Sequence, residues 1–329
     1  MTEHAAPPAR CRICGAEGGH QHFVAREMYF GSREQFDYFE CGHCGTVQIR
    51  AIPADLGRHY PPDYYSFAGG AGKPASALQI ALRGRRSDAW LGAGGAFGRL
   101  LARLSKKRPA YFGWLAGMGL TTGSRIVDVG CGGGELLLKM RRDGFRNLSG
   151  LDPFVTATIR LPGGVTVHKR GLAEDTGRYD LIMLHHSFEH MPDPVATMAE
   201  IARHLAPAGR ALIRLPVAGG HAWRTYRENW YALDAPRHLV IPSLRAMGLL
   251  AATAGLEVER HFFDSDTGQF LASEAYQRGI PLIEQMRAPP PARGEAEMAR
   301  LRNLADELNR KDDGDSGGFV LRRRATQQP

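Results

Sequence analysis

The 329-residue sequence predicts an α/β fold in which a doubly wound sheet follows a small N-terminal metal-binding module. Three observations predict it. The apolar run Ile126-Val127-Asp128-Val129 leads through a glycine turn into a helix start at Leu136 to Met140, the strand–turn–helix order of a βαβ unit. Further runs of strand length alternate with helical stretches as far as residue 322, which argues a sheet wound on both faces. Upstream, two C-x-x-C pairs, Cys11/Cys14 and Cys41/Cys44, stand 26 residues apart, in a segment too short to rest on a core of its own.

Residues 1–60 read as the metal module. Each C-x-x-C pair presents two thiolates from the inside of a tight turn, and a glycine follows each (Gly15, Gly45). Four thiolates close a tetrahedral shell, which argues zinc, and in a cytoplasmic chain metal is favoured over disulfides. Such a shell leaves no open position for a catalytic water, so the ion is expected to be structural. His20, His22 and His43 lie close by in sequence as substitute ligands that a complete cysteine set makes unnecessary.

Residues 61–109 read as a basic, Gly/Ala-rich linker with a helix. Tyr60-Pro61-Pro62-Asp63-Tyr64-Tyr65 and the stretch Ala68 to Gly72 carry boundary composition. Between Lys73 and Arg108 nine basic residues face Asp88 alone, so this stretch holds the whole of the chain's formal charge of +8. Phe97, Leu100, Leu101 and Leu104 fall at helical spacing, while Gly92, Gly94, Gly95 and Gly98 weaken that helix. Two readings stand: a solvated basic face, or attraction for an anionic partner such as a membrane surface, a phosphorylated carrier or a nucleic acid.

Residues 110–329 hold the large domain. After the strand at 126–129 comes a second at 148–152, a fourth over 178–184, and a helix from Pro194 to Leu205 stopped around Pro207 and Gly209. A fifth strand covers Arg210 to Leu215, a helix covers Ser243 to Ala254 with a serine N-cap, and a strand runs from Leu256 to Phe263. Residues 285–312 look helical and charged, and 317–322 read as a last strand inserted beside 256–263.

The loop Gly130-Cys131-Gly132-Gly133-Gly134-Glu135 decides the ligand class. A dinucleotide fingerprint needs its third glycine at position 135, where this chain has a glutamate that would repel a pyrophosphate at a helix N-terminus. A cationic ligand without phosphate fits, and S-adenosylmethionine is one. Asp128 ends the first strand, placed to pair with an ammonium, and Asp152 ends the second, placed to accept ribose hydroxyls. With this set the chain resembles the class I S-adenosylmethionine-dependent methyltransferases over residues 110–329. That resemblance implies a Rossmann-like seven-stranded sheet and a cofactor site of Asp128, Gly130, Cys131, Gly132, Asp152, Pro153, Leu172 and His185. Leu172 stands where the family often has an acidic residue near adenine, so backbone groups and apolar contact are expected to read the base, with Asp175 nearby.

The segment His185-His186-Ser187-Phe188-Glu189-His190-Met191-Pro192-Asp193-Pro194 leaves the fourth strand's carboxyl end, where open α/β sheets bind ligands. It resembles the EH-x-x-D-P segment of small-molecule methyltransferases. His190 is the first candidate for a general base, His186 the second, with Glu189 orienting one of them and His238 facing it. Past the fifth strand, His221, Trp223, Trp230 and Tyr231 offer rings for stacking on an acceptor, and Arg237 offers a fork for phosphate or carboxylate. The N-terminal module with LHHSFEHM and APRHL resembles bacterial methyltransferases of glycan and deoxysugar pathways, implying a sugar hydroxyl as acceptor.

A hydrophobic content of 43% with 23% charged residues fits a globular protein. No signal peptide or membrane span is read, so the expected location is cytoplasmic, with the basic linker peripheral to the inner face of the membrane. The second functional class is an RNA methyltransferase whose zinc module and basic linker bind nucleic acid. Against it, residues 11–50 hold no dense Lys/Arg stripe.

Overall fold

A computed structural model describes residues 9–60, 76–105, 107–288 and 293–325. The Tyr/Pro boundary signal after Tyr60, the Gly/Ala stretch, Lys73 and Lys106 lie outside the described residues.

The chain begins with the strands β1 (Gln21–Arg26), β2 (Gln35–Glu40) and β3 (Val47–Ile49). Helices α1 (Ala77–Trp90), α2 (Ala96–Leu104) and α3 (Tyr111–Trp114) follow. Then come β4 (Arg125–Val129), α4 (Glu135–Arg142), β5 (Asn147–Leu151), β6 (Ile159–Leu161), β7 (Val165–His168) and β8 (Tyr179–His185). They are succeeded by α5 (Pro194–His204), β9 (Leu205–Pro216), α6 (His221–Tyr226), β10 (Val240–Ile241), α7 (Leu244–Thr253) and β11 (Leu256–Phe263). The described chain ends through α8 (Gly268–Gln277), α9 (Leu282–Arg287), α10 (Glu295–Arg310) and β12 (Ser316–Arg323).

The large sheet has eight strands in the order β11-β12-β9-β8-β4-β5-β7-β6. β4 pairs in parallel with β5 on one side and β8 on the other, and β5 with β7. The winding direction therefore reverses at β4, the switch point at which doubly wound sheets bind ligands. The core strands read as apolar throughout: Ile126, Val127, Leu181, Ile182, Leu184, Leu212 and Ile213 are all buried, as strands covered on both faces require. β12 takes its place between β9 and β11. The eighth strand, β6, pairs antiparallel with β7 at the edge and was not expected.

Two further differences have local causes. The helix α5 passes directly into β9 at Leu205, so strand geometry starts five residues before Arg210. The glycines of the basic stretch do not dissolve its helix but divide it in two and let the halves pack: a Cβ on Gly98 would come within 2.3 Å of the Arg85 carbonyl oxygen. At α7 the Ser243 hydroxyl caps the Ala246 N–H as its sequence position suggests.

The chain falls into two compact units. One comprises residues up to Tyr60 with Phe188–Met198 and Arg214–Phe319; the other comprises 76–187, Ala199–Ile213 and the residues from Val320. The N-terminal segment is thus not a unit by itself. β1, β2 and β3 form an antiparallel sheet whose fourth strand is β10, with Val240 opposite Gln48 and Ile241 opposite Val47. A three-residue strand has too little ladder to close an edge unaided, and β10 supplies the missing partner.

Candidate functional site

In the second unit the chain turns sharply after β4. Gly130, Gly132 and Gly134 all have left-handed φ (72°, 52° and 78°), which side chains with a Cβ avoid. Space is a second constraint at Gly130, where a Cβ would lie 2.5 Å from the Ser187 Cβ. Ser187 in turn donates its hydroxyl to the Val129 carbonyl at 2.7 Å, tying the end of β8 to the end of β4. Ser187 carried no separate sequence signal.

Asp128 is buried, and its Oδ1 has no hydrogen-bond partner among the described residues. Burial, and then the charge of Asp152, push its carboxyl up to about 8. A buried carboxylate oxygen without a donor calls for a cation, and the ammonium of a methionine moiety is one of suitable size. Asp152 is held in place by two backbone donors, Gly132 N–H on Oδ2 at 2.8 Å and Phe154 N–H on Oδ1 at 2.9 Å. Each oxygen keeps a second acceptor site, enough for the two hydroxyls of a ribose. Cys131 is half-buried: burial, then the charges of Asp128 and Asp152, raise its thiol, and its sulfur lies where a Cβ on Gly150 would fall, so it packs the loop and its thiolate form is disfavoured.

Leu172 is buried in a short 3-10 turn, Leu172–Glu174, consistent with an apolar wall. The Asp175 carboxylate accepts from Arg170 on Oδ1 and from the Gly177 N–H and the Tyr179 hydroxyl on Oδ2, so most of its acceptor capacity goes to the turn. Pro153 is exposed. The ring of His185 lies against Trp114, centroids 5.2 Å apart. His186 is exposed with a left-handed φ of 50°, a strained position for a non-glycine residue.

The remaining candidates belong to the first unit, and there they meet. The rings of His190 and His238 stand edge to face with centroids 4.8 Å apart. Glu189 is fully buried with Oε1 3.8 Å from His238 Nε2. One ligand atom from each of Glu189, His190 and His238 lies within 4.8 Å of the others, a spacing that would admit a cation. His190 Nδ1 lies 2.9 Å from the Arg237 carbonyl oxygen and 3.0 Å from the Tyr60 hydroxyl. With Nδ1–H donated to that carbonyl, Nε2 is left as the proton acceptor. His238 Nδ1 lies 2.7 Å from the Ala232 carbonyl. Burial, then the charge of His190, lower its pKa against the opposing pull of Asp234 and Glu189. Tyr60 had read only as part of a boundary.

Two expectations fail in this unit. Arg237 holds no phosphate or carboxylate ligand: it is fully buried, its Nε donates to Asp234 at 2.9 Å and its Nη2 to Glu27 at 3.1 Å, and it lies over the Tyr29 ring. Two internal carboxylates already match its fork. Trp223 and Trp230 form no exposed stacking platform. Both are buried, with indole N–H groups donated to Glu40 and Asp315, so they are core rings with a satisfied polar handle.

The four module thiols converge. Cys11 and Cys44 Sγ lie 3.6 Å apart, as do Cys14 and Cys41, with all four within 4.8 Å. Zinc–sulfur bonds of about 2.3 Å in a tetrahedron put sulfurs roughly 3.8 Å apart, so the set fits that ion. Gly15 and Gly45 have left-handed φ (74° and 73°), and their N–H groups bond back to the Cys11 and Cys41 carbonyls, which gives each turn its shape. The Gln48 amide donates to Cys11 Sγ, a contact that steadies a thiolate. His20 is engaged elsewhere: its Nε2 lies 3.0 Å from the Ala9 carbonyl and its ring stacks on Phe39.

A family model described as a methyltransferase domain matches residues 89–261. The ubiquinone biosynthesis O-methyltransferase of Escherichia fergusonii is 31% identical over 134 residues, 37% of this chain and 55% of that protein. The one from Cupriavidus pinatubonensis is 31% identical over 117 residues, 32% of this chain and 46% of the relative. The chain thus spans about half the length of the curated relatives it matches. Among solved structures, a putative sarcosine dimethylglycine methyltransferase from Galdieria sulphuraria is similar with a TM-score of 0.40 at 18% identity, covering 72% of this chain and 85% of that one.

Proposed function

The chain belongs to the methyltransferase-domain family, and from that premise we propose that it methylates a hydroxyl of a small molecule or glycan with S-adenosylmethionine as donor. The observation that carries the reading is the pair of buried carboxylates at the ends of β4 and β5, Asp128 with an unpartnered oxygen and Asp152 aimed by two backbone N–H groups. The donor, when bound, would supply an electrophilic methyl carbon on a sulfonium, with a neutral thioether as its leaving group. Asp128 would hold its ammonium and Asp152 its ribose hydroxyls, with Gly130 and Gly132 admitting it close to the main chain, Leu172 against the adenine, and Pro153 and His185 beside them.

The chain's remaining task is to align the acceptor and remove a proton. His190 is the base, its ring fixed through Nδ1 so that Nε2 receives the proton; Glu189 and His238 stabilise the imidazolium that results. His186, exposed and outside this cluster, is the weaker candidate. An oxygen acceptor is supported by the relatives, which are ubiquinone biosynthesis O-methyltransferases. The sugar hydroxyl of a surface-polysaccharide or secondary-metabolite pathway rests on the sequence resemblance. Because the tryptophans are internal, sugar recognition would fall to other residues. Zinc on Cys11, Cys14, Cys41 and Cys44 would have a structural role.

The test is calorimetry with S-adenosylhomocysteine. A 1:1 complex is expected, and Asp152→Ala should weaken it by roughly 2–4 kcal/mol through the loss of two charge-assisted hydrogen bonds. Unchanged affinity in that variant would sink the assignment.

A further inference from the structure

The basic stretch before β4 forms a surface that holds none of the residues assigned above to the cofactor or the base. Helix α1 is anchored inward within its unit: Ser87 donates to the Asp143 carbonyl, Arg86 pairs with the Asp143 carboxylate at 2.9 Å, and Gly84 lies close against Gly144. Helix α2 packs on α1 through Gly98. On a helical wheel Gly98 and Ala102 then mark the covered side, and Phe97, Leu100 and Leu104 fall within about 60° of one another on the far side. All three are exposed, by 51%, 52% and 71%, and Leu78 of α1 is exposed by 70%. Leu82 of α1 is a fifth exposed apolar side chain on the same anchored hairpin, and a cluster of this kind marks an interaction surface.

The same hairpin concentrates positive charge. Arg85, Arg99, Arg103, Lys107 and Arg108 are exposed around it. Asp88, the stretch's one carboxylate, is taken up by the Thr122 N–H and hydroxyl. The partner must therefore reward both apolar insertion and cationic charge. A second copy of the chain offers apolar surface but would set like charges against each other. A nucleic acid offers phosphates but gives little for a row of leucines.

We propose that the α1–α2 hairpin docks the protein on an anionic phospholipid surface, with Phe97, Leu100 and Leu104 entering the headgroup–acyl boundary and the arginines and Lys107 lying at headgroup level. Amphipathic helices with basic flanks bind bilayers in this way, through buried apolar area plus attraction to acidic lipids. The hairpin holds its helix ready-made by packing, so no ordering on binding is required.

The test is co-sedimentation of the full chain with vesicles of phosphatidylcholine alone or with roughly one-third phosphatidylglycerol. Binding is expected on the anionic vesicles alone, and raising salt from about 0.1 to 0.5 M should release most of it. The double variant Leu100→Glu/Leu104→Glu, at positions without buried packing, should keep the native melting temperature and lose at least about tenfold in partitioning. In Leu100→Trp the new indole's emission should move to the blue on anionic vesicles. Equal binding to both vesicle types, or none to either, overturns the proposal. So does retained binding by the double glutamate variant, which would mean charge alone is read. A dimer that this variant dissociates would assign the surface to a second copy, and tight single-stranded RNA binding unaffected by it would assign the arginines to nucleic acid.

Discussion

Asp128 makes cofactor binding a proton-releasing event. Burial and the neighbouring Asp152 charge push its carboxyl up to about 8, so in the free protein at pH 7 only about one-tenth of the molecules carry the anion. A ligand ammonium requires that anion. Binding at pH 7 therefore expels close to one proton, and the work of ionising the group weakens binding by about 1.4 kcal/mol relative to pH well above 8. Affinity for S-adenosylhomocysteine should rise about tenfold from pH 6 to pH 7 and flatten as the pH passes through 8. Calorimetry at pH 7 in two buffers of different ionisation enthalpy reads the proton directly, as the slope of observed heat against buffer heat. Asp128→Asn should abolish both the slope and the pH dependence, since an amide neither titrates nor pairs with the ammonium as an ion. A wild-type affinity flat between pH 6 and 8, or a slope near zero, would refute the pairing.

Three further outcomes are expected. His190→Ala should lower turnover by about 10²–10⁴ with cofactor affinity nearly intact, and His190→Gln should be almost as impaired; an active Gln variant would make His190 a positioning group. Elemental analysis should find one zinc per chain, and Cys41→Ser or chelation should lower thermal stability; a metal-free chain of unchanged stability would remove the site. Arg237→Ala should cost about 3–5 kcal/mol, because it leaves the carboxylates of Glu27 and Asp234 buried without their cation; an unfolding free energy, read by denaturant titration, lowered by less than a third of that would contradict the buried pairing.

Legibility in the sequence followed the reach of each constraint. The β4 loop was readable because its demands are local: left-handed backbone at Gly130, Gly132 and Gly134, and a carboxylate on either flank. The cysteine pairs were readable because each knuckle is a four-residue turn. Arg237 was misread because its charge is matched by Glu27, 210 positions away, and a single sequence does not show which cations are already paired inside. Trp223 and Trp230 misled similarly, since their partners Glu40 and Asp315 come from distant segments. β6 escaped notice as a three-residue strand with an arginine at its centre, Ile159–Leu161, too short for any periodicity to register.

The cysteine module and the histidine cluster share one stretch of chain, which gives the metal a reason to matter beyond its own turns. The Arg237 carbonyl fixes His190, and His238 stands beside it. The Leu239 N–H bonds to the Glu189 carbonyl while its own carbonyl accepts from the Ile49 N–H. β10 completes the module's sheet, and the Ser243 hydroxyl donates to the carbonyl of Cys44. From Arg237 to Ser243 each step is a hydrogen bond or a ladder pair, so loosening the Cys41/Cys44 turn loosens the platform on which His190 and His238 are set. Loss of zinc should accordingly lower turnover more than it lowers cofactor affinity, because Asp128 is set by the ladder of β4 with β5 and β8, and Asp152 by the Gly132 and Phe154 N–H groups. A chelated protein that lost both in proportion would mean that the module supports the whole fold and not the base in particular.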